Sequence, residues 1–140
     1  MTSLYLNIWN KVLYVFALVL RSGGAFNKSN FILRDKIING FMSINEVKNL
    51  EFDINYSGYK IKLGLESYIY SKVFFYGLYE RCELEILSKY AKKLDGGVFL
   101  DVGANVGVHS LYMSKFCEVH SFEPYKMVRD VLNKCILNNN

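Results

Sequence analysis

Phe52, Ile54 and Tyr56 alternate with polar residues, and after Ser57-Gly58 the alternation resumes through Tyr59, Ile61 and Leu63, with Lys60 and Lys62 between them. Successive side chains of a strand point to opposite faces, so this pattern predicts two strands joined by a tight turn. Further along, a 3.6-residue period takes over. Tyr79, Cys82, Ile86, Leu87, Tyr90, Ala91 and Leu94 form an apolar stripe, with Glu83, Glu85, Lys89 and Lys93 off it, which predicts a helix over 79–94 packed through that stripe. Asp95-Gly96-Gly97 ends the helix. The near-continuous apolar run Val98–Val102 then predicts a buried parallel strand. A second helix follows Gly107, with Val108, Leu111, Tyr112 and Phe116 turned inward, and Glu118–Phe122 reads as the next strand. Pro124 opens a third helix at a tolerated first-turn position, with Val128, Val131, Leu132, Cys135 and Ile136 on its apolar face.

Upstream, an apolar helix ends at Ser22-Gly23-Gly24, and the Asn-rich stretch from Phe26 to Asn49 has weak periodicity, enough for a short helix at most. The Tyr-rich run from Tyr68 to Tyr79 reads as core. Two parts result. Residues 1–77 are a flanking segment of helix, irregular region and hairpin, and residues 78–140 alternate helix and strand. That alternation predicts an α/β fold with an open, mostly parallel sheet.

Composition narrows the class. The chain has 140 residues, 51% hydrophobic and 21% charged with a single Pro, which is a globular balance of about one domain. The net charge of +4 is scattered, with no run longer than Lys92-Lys93, so no nucleic-acid surface is indicated. Cys82, Cys117 and Cys135 are odd in number and widely spaced, which supports neither a metal site nor a disulfide framework. Cys82 and Cys135 are expected as packed thiols on apolar helix faces, in keeping with a cytoplasmic, reducing compartment. Val12 to Leu20 is nine apolar residues, against about 20 for a membrane span. A buried or docking helix is favoured there. Membrane contact through Leu4–Leu20, or export with Lys11, the apolar run and Ser22-Gly23-Gly24-Ala25 as a signal, is the less favoured alternative.

The chemistry concentrates in Asp101-Val102-Gly103-Ala104-Asn105-Val106-Gly107, where a strand feeds a helix N-terminus. Open α/β sheets bind ligands at the carboxyl ends of their strands, and glycines there allow a sharp turn and close backbone approach. A dinucleotide fingerprint needs G-x-G-x-x-G, but here Asn105 takes the middle position and the last interval is one shorter. No G-K-[ST] is present for a P-loop. Asp101 suits a ligand with an ammonium group. Glu123, 20 residues after Gly103 at the tip of the next strand, suits two ribose hydroxyls. Ammonium at one end and ribose at the other describe S-adenosylmethionine. A nicotinamide-dependent oxidoreductase would use Glu123 too, and is the weaker alternative.

These residues resemble the FkbM family of methyltransferases, which use S-adenosylmethionine on a Rossmann-like class I sheet. The family's acidic-x-G-A-N-x-G loop is matched by Asp101, Gly103, Ala104, Asn105 and Gly107, and its F-E-P by Phe122, Glu123 and Pro124. Gly77, Tyr79 and Glu80 match its G-x-Y-E, and Leu132, Asn133 and Asn138 match a helical Leu/Asn run loosely. His109 departs from the aromatic residue usual in the family. The resemblance runs from Gly77 to Asn138. It implies S-adenosylmethionine as cofactor, Asp101, Gly103, Ala104, Asn105, Gly107 and Glu123 as its binding residues, and O-methyl transfer to a sugar or natural-product hydroxyl. It assigns no catalytic base and no metal. Such a domain has seven strands. The chain is therefore expected to be its first part, truncated after the second strand and its helix, inactive alone, and prone to self-association through an exposed sheet edge. A non-catalytic remnant or interaction fragment is the alternative from another class. Glu80 is expected to favour its helix N-terminus, and His109 and His120 to have no partner at ligand spacing.

Overall fold

A computed structural model describes residues 2–22, 28–43, 50–65, 67–95 and 97–139; the side chains of 2–7, 9, 10, 22, 28–33 and 63 lie outside that description. The expected pairing role of Leu63 and the glycines of the 22–24 and 95–97 turns at 23, 24 and 96 therefore fall outside it. The described chain is mixed α/β, with six helices and two two-stranded sheets. In order these are α1 (Thr2–Ser22), α2 (Lys28–Met42), β1 (Glu51–Tyr56), β2 (Tyr59–Gly64), α3 (Tyr68–Tyr76), α4 (Arg81–Lys93), β3 (Val98–Val102), α5 (Val108–Met113), β4 (Glu118–Phe122) and α6 (Lys126–Leu137). No helix among the described residues is long and apolar enough to cross a membrane.

The chain divides into two compact units, Met1–Ile54 with Lys62–Tyr79, and Asn55–Ile61 with Glu80–Asn140. The hairpin β1–β2 contributes its base to the first and its tip to the second. Its turn needs left-handed backbone at both central residues, and Ser57 (φ 56°) and Gly58 (φ 97°) supply it. The Asn55 carboxamide oxygen accepts the Gly58 N–H at 2.8 Å. Phe52, Ile54 and Tyr56 are buried and their neighbours on β1 exposed, the alternation the pattern predicts.

In the first unit α1 buries Leu13, Ala17 and Leu20, one helical stripe. Phe16 packs at 5.4 Å on Phe41 of α2 and at 6.2 Å on Phe75 of α3. The α3 helix buries every residue from Tyr70 to Phe75, including Lys72. That cation is neutralised by Asp35 of α2 and lies over the Tyr68 and Tyr76 rings at 5.1 and 5.3 Å. The last carbonyls of a helix lack intrahelical donors. Arg21 of α1 supplies one, donating from Nε to the Phe74 carbonyl at 3.0 Å, and from Nη2 it shares the Val73 carbonyl at 3.2 Å with the Gly77 N–H.

In the second unit β3 and β4 pair in parallel, Val98 opposite Glu118 through Val102 opposite Phe122. Two expectations are corrected here. The β3 strand is parallel but not buried: Val98, Leu100 and Val102 are 52, 61 and 81% exposed, and Asp101 is its one buried residue. The reason is that α5 covers only the face bearing Asp101 and Ser121, and the opposite face is open among the described residues. The α4 stripe is also displaced. Its buried residues are Leu84, Ser88 and Ala91, while Cys82, Ile86, Tyr90 and Leu94 are exposed. The sequence holds two overlapping stripes, and the one carrying a serine is the one that packs. On α6 Leu132 and Cys135 are buried, and the helix starts at Lys126, two residues after Pro124.

Candidate functional site

The register of the parallel pair builds the site. Because Val102 lies opposite Phe122, Gly103 continues one strand where Glu123 continues the other. The N–H groups of Gly103 and Ala104 both donate to the Phe122 carbonyl, at 2.8 and 3.0 Å, and draw the loop across the end of β4. Asn105 then adopts a left-handed conformation (φ 50°), which Asn tolerates better than most residues, and its N–H donates to Glu123 Oε2 at 2.9 Å. The other oxygen, Oε1, accepts the Tyr125 N–H at 2.8 Å. Glu123 thus ties the loop after β3 to the corner after β4. Arg129 steadies that corner from α6, donating from Nη1 to the Glu123 and Pro124 carbonyls at 3.0 Å each.

The two glycines do different work, although both have left-handed backbone. A side chain at Gly107 (φ 85°) would put its Cβ 2.5 Å from Leu132 Cδ1, so this glycine lets α6 pack against the start of α5. At Gly103 (φ 82°) an added Cβ meets nothing within 4 Å. That face of the loop is open. Ala104 and Val106 are buried and anchor the loop from beneath.

Asp101 faces α5. The residue is 8% exposed, its carboxyl accepts the Ser110 hydroxyl at 2.5 Å, and Ser110 in turn shares a hydrogen bond with Ser121 at 2.7 Å. Ser110 and Ser121 were not singled out from the sequence. The available signal is that Ser110 falls on the inward face of α5 between Gly107 and Leu111, where an apolar residue would be usual. Serine at an inward helical position above a strand-end acid marks a polar contact inside the unit. These hydroxyls also line a cleft of about 350 Å³ with Tyr59, Ser114, Cys117 and Asn139, on the α5 side of the sheet.

Glu80 lies at a helix N-terminus, as expected, and it also meets His109. Glu80 stands at the α4 N-cap with left-handed backbone (φ 51°) and makes no side-chain capping bond. Its carboxylate lies 3.1 Å from Nε2 of His109, in the first turn of α5. His120 lies 2.9 Å from Glu118 on the open sheet face. Both histidines therefore have acidic partners, and neither belongs to a metal-binding group: no cluster of three or more His, Cys, Asp or Glu occurs among the described residues.

The structure thus brings Gly103, Ala104, Asn105, Gly107 and Glu123 into one hydrogen-bonded corner, with Asp101 at its base on the helix side. Compared with protein-family models, curated proteins and solved structures, the chain matches none.

Proposed function

We propose that the corner formed by Asp101–Gly107 and Glu123 binds S-adenosylmethionine, and that the chain carries the donor-binding part of an FkbM-type methyltransferase acting on a sugar or natural-product hydroxyl. In this reading β3, α5 and β4 are the first βαβ unit of a Rossmann-like class I sheet. The observation that carries it is the β3–β4 register, which places two acids, Asp101 and Glu123, at the carboxyl ends of adjacent strands with a glycine loop between them. Ligands of open α/β sheets lie at this edge.

The residues present fit the cofactor. The open face at Gly103 leaves room for close approach to the backbone. Each Glu123 oxygen accepts one backbone N–H and retains a lone pair for a ribose hydroxyl. Asp101 is buried with one neutral donor, Ser110, and no cation pairs with it among the described residues, so a ligand ammonium complements it. When bound, S-adenosylmethionine supplies a methyl group on a cationic sulfur, which leaves as the neutral thioether. What the chain contributes is binding and orientation, the main requirement of an in-line displacement. A cytoplasmic location belongs to the same reading, since Cys82, Cys117 and Cys135 are all free thiols.

Calorimetric titration with S-adenosylhomocysteine and with NAD tests this. Binding of the first, lost in Glu123→Ala, supports the proposal. Binding of NAD alone overturns it in favour of an oxidoreductase.

A further inference from the structure

The α1 helix is apolar on two sides. One stripe, Leu13, Ala17 and Leu20, is buried in the first unit. The other is exposed: Ile8, Val12, Val15 and Val19 are 48 to 60% accessible, with Leu18 beside them. Their spacing is four, three, four. Residues spaced so stay on one seam along a helix and fit the holes of another helix with the same spacing. The chain itself provides such a helix in a second copy. We infer that α1 is a self-association surface, on which a second copy of this chain docks through its own Ile8–Val19 seam. The inference is independent of the methyltransferase reading.

Area and charge select this occupant. The four seam residues and Leu18 expose on the order of 450 Å² per copy, so a symmetric pair buries on the order of 900 Å², the range of weak, reversible association. A lipid surface is a poorer match. Interfacial helices set a Lys- or Arg-rich face against the apolar one, but here the reverse side of α1 is itself apolar and buried, and Lys11 is the one described cation near the seam. The open β3–β4 face is another exposed apolar surface among the described residues. It is a poorer match for a second copy because the Glu118–His120 pair lies beside Val98 and Leu100 on it and would be buried with them.

Sedimentation analysis of the full chain decides the matter, comparing the parent with Val12→Glu/Val15→Glu and with Leu100→Glu. The expected result is a parent species at twice the 16.2 kDa chain mass, a monomeric Val12→Glu/Val15→Glu variant of unchanged helix content, and an undisturbed dimer for Leu100→Glu. The milder Val15→Ser is read as a weakened dimer, which serves if the double variant fails to fold. A monomeric parent overturns the inference. So does a dimer that survives substitution of the seam or dissolves with Leu100→Glu. Flotation of a monomeric parent with phosphatidylcholine–phosphatidylserine vesicles, lost on seam substitution, overturns it in favour of a membrane surface.

Discussion

Glu123 Oε2 accepts the backbone N–H of Asn105 at 2.9 Å, across the gap between two parallel strands. This bond joins the two segments in which the candidate chemistry resides. Glu123→Ala removes the acceptor for Asn105 and Tyr125 together, and a half-buried N–H left without a partner costs about 1–3 kcal/mol. Glu123→Gln keeps one acceptor oxygen and costs less. Amide hydrogen exchange checks this: Asn105 and Tyr125 exchange faster in Glu123→Ala, while the amides of α4 are unchanged.

Gly103 and Gly107 separate backbone strain from packing. Gly103→Ala places a methyl group in open space, so its cost is the left-handed backbone alone, roughly 1–2 kcal/mol. Gly107→Ala adds an overlap with Leu132 Cδ1 and costs about 1–3 kcal/mol more. Leu132→Ala in the Gly107→Ala background relieves the overlap, so the two changes are less than additive. Urea unfolding of the four variants measures all of this. Gly103→Ala is also expected to block cofactor approach while costing less stability than Gly107→Ala.

Ser110→Ala leaves the buried Asp101 carboxyl without its hydroxyl donor, at about 1–3 kcal/mol. Asp101→Asn combined with Ser110→Ala replaces the buried carboxyl by a neutral amide and recovers part of the loss. A double-mutant cycle by denaturant unfolding reads the coupling. A double-variant loss equal to the sum of the two single losses would show that the Ser110–Asp101 contact contributes nothing.

The Tyr76 hydroxyl is pushed up to about 12, first by burial and next by Asp35, whose carboxylate accepts its hydrogen bond at 3.3 Å. Burial raises Tyr56 in the same direction. A folded-state value above the ordinary value of about 10 means that the unfolded chain releases the proton first. The stabilising contribution is therefore complete below pH 10 and is lost as pH rises towards 12. Tyr76→Phe should show a shallower fall in stability across that window, measured by thermal unfolding at stepped pH.

The hairpin was legible in the sequence because Phe52, Ile54 and Tyr56 need only local alternation to reveal one buried face. The strand over Val98–Val102 was legible as a strand, but its exposure was not: an apolar run specifies strand type, whereas burial depends on what covers each face, and α5 covers one. On α4, Leu84, Ser88 and Ala91 compete with Cys82, Ile86 and Tyr90, and hydrophobicity alone favours the stripe that the packing leaves outside. The weak periodicity before the hairpin hid α2, a 15-residue helix anchored through Asp35 and Ile38 rather than a continuous stripe. Gly107 could be read as turn-forming, but its role against Leu132 depends on a contact 25 positions away. The hydroxyls of Ser110 and Ser121 acquire meaning only when the sheet register brings them to Asp101.

The most direct test of the account is a titration of the ¹⁵N-labelled chain with S-adenosylhomocysteine, followed through the backbone amide resonances. The account predicts saturable shifts centred on Gly103, Ala104, Asn105 and Gly107, abolished by Glu123→Ala, with α1 and α3 unmoved. Shifts confined to other segments, or a folded chain whose loop amides do not move at saturating ligand, would contradict it.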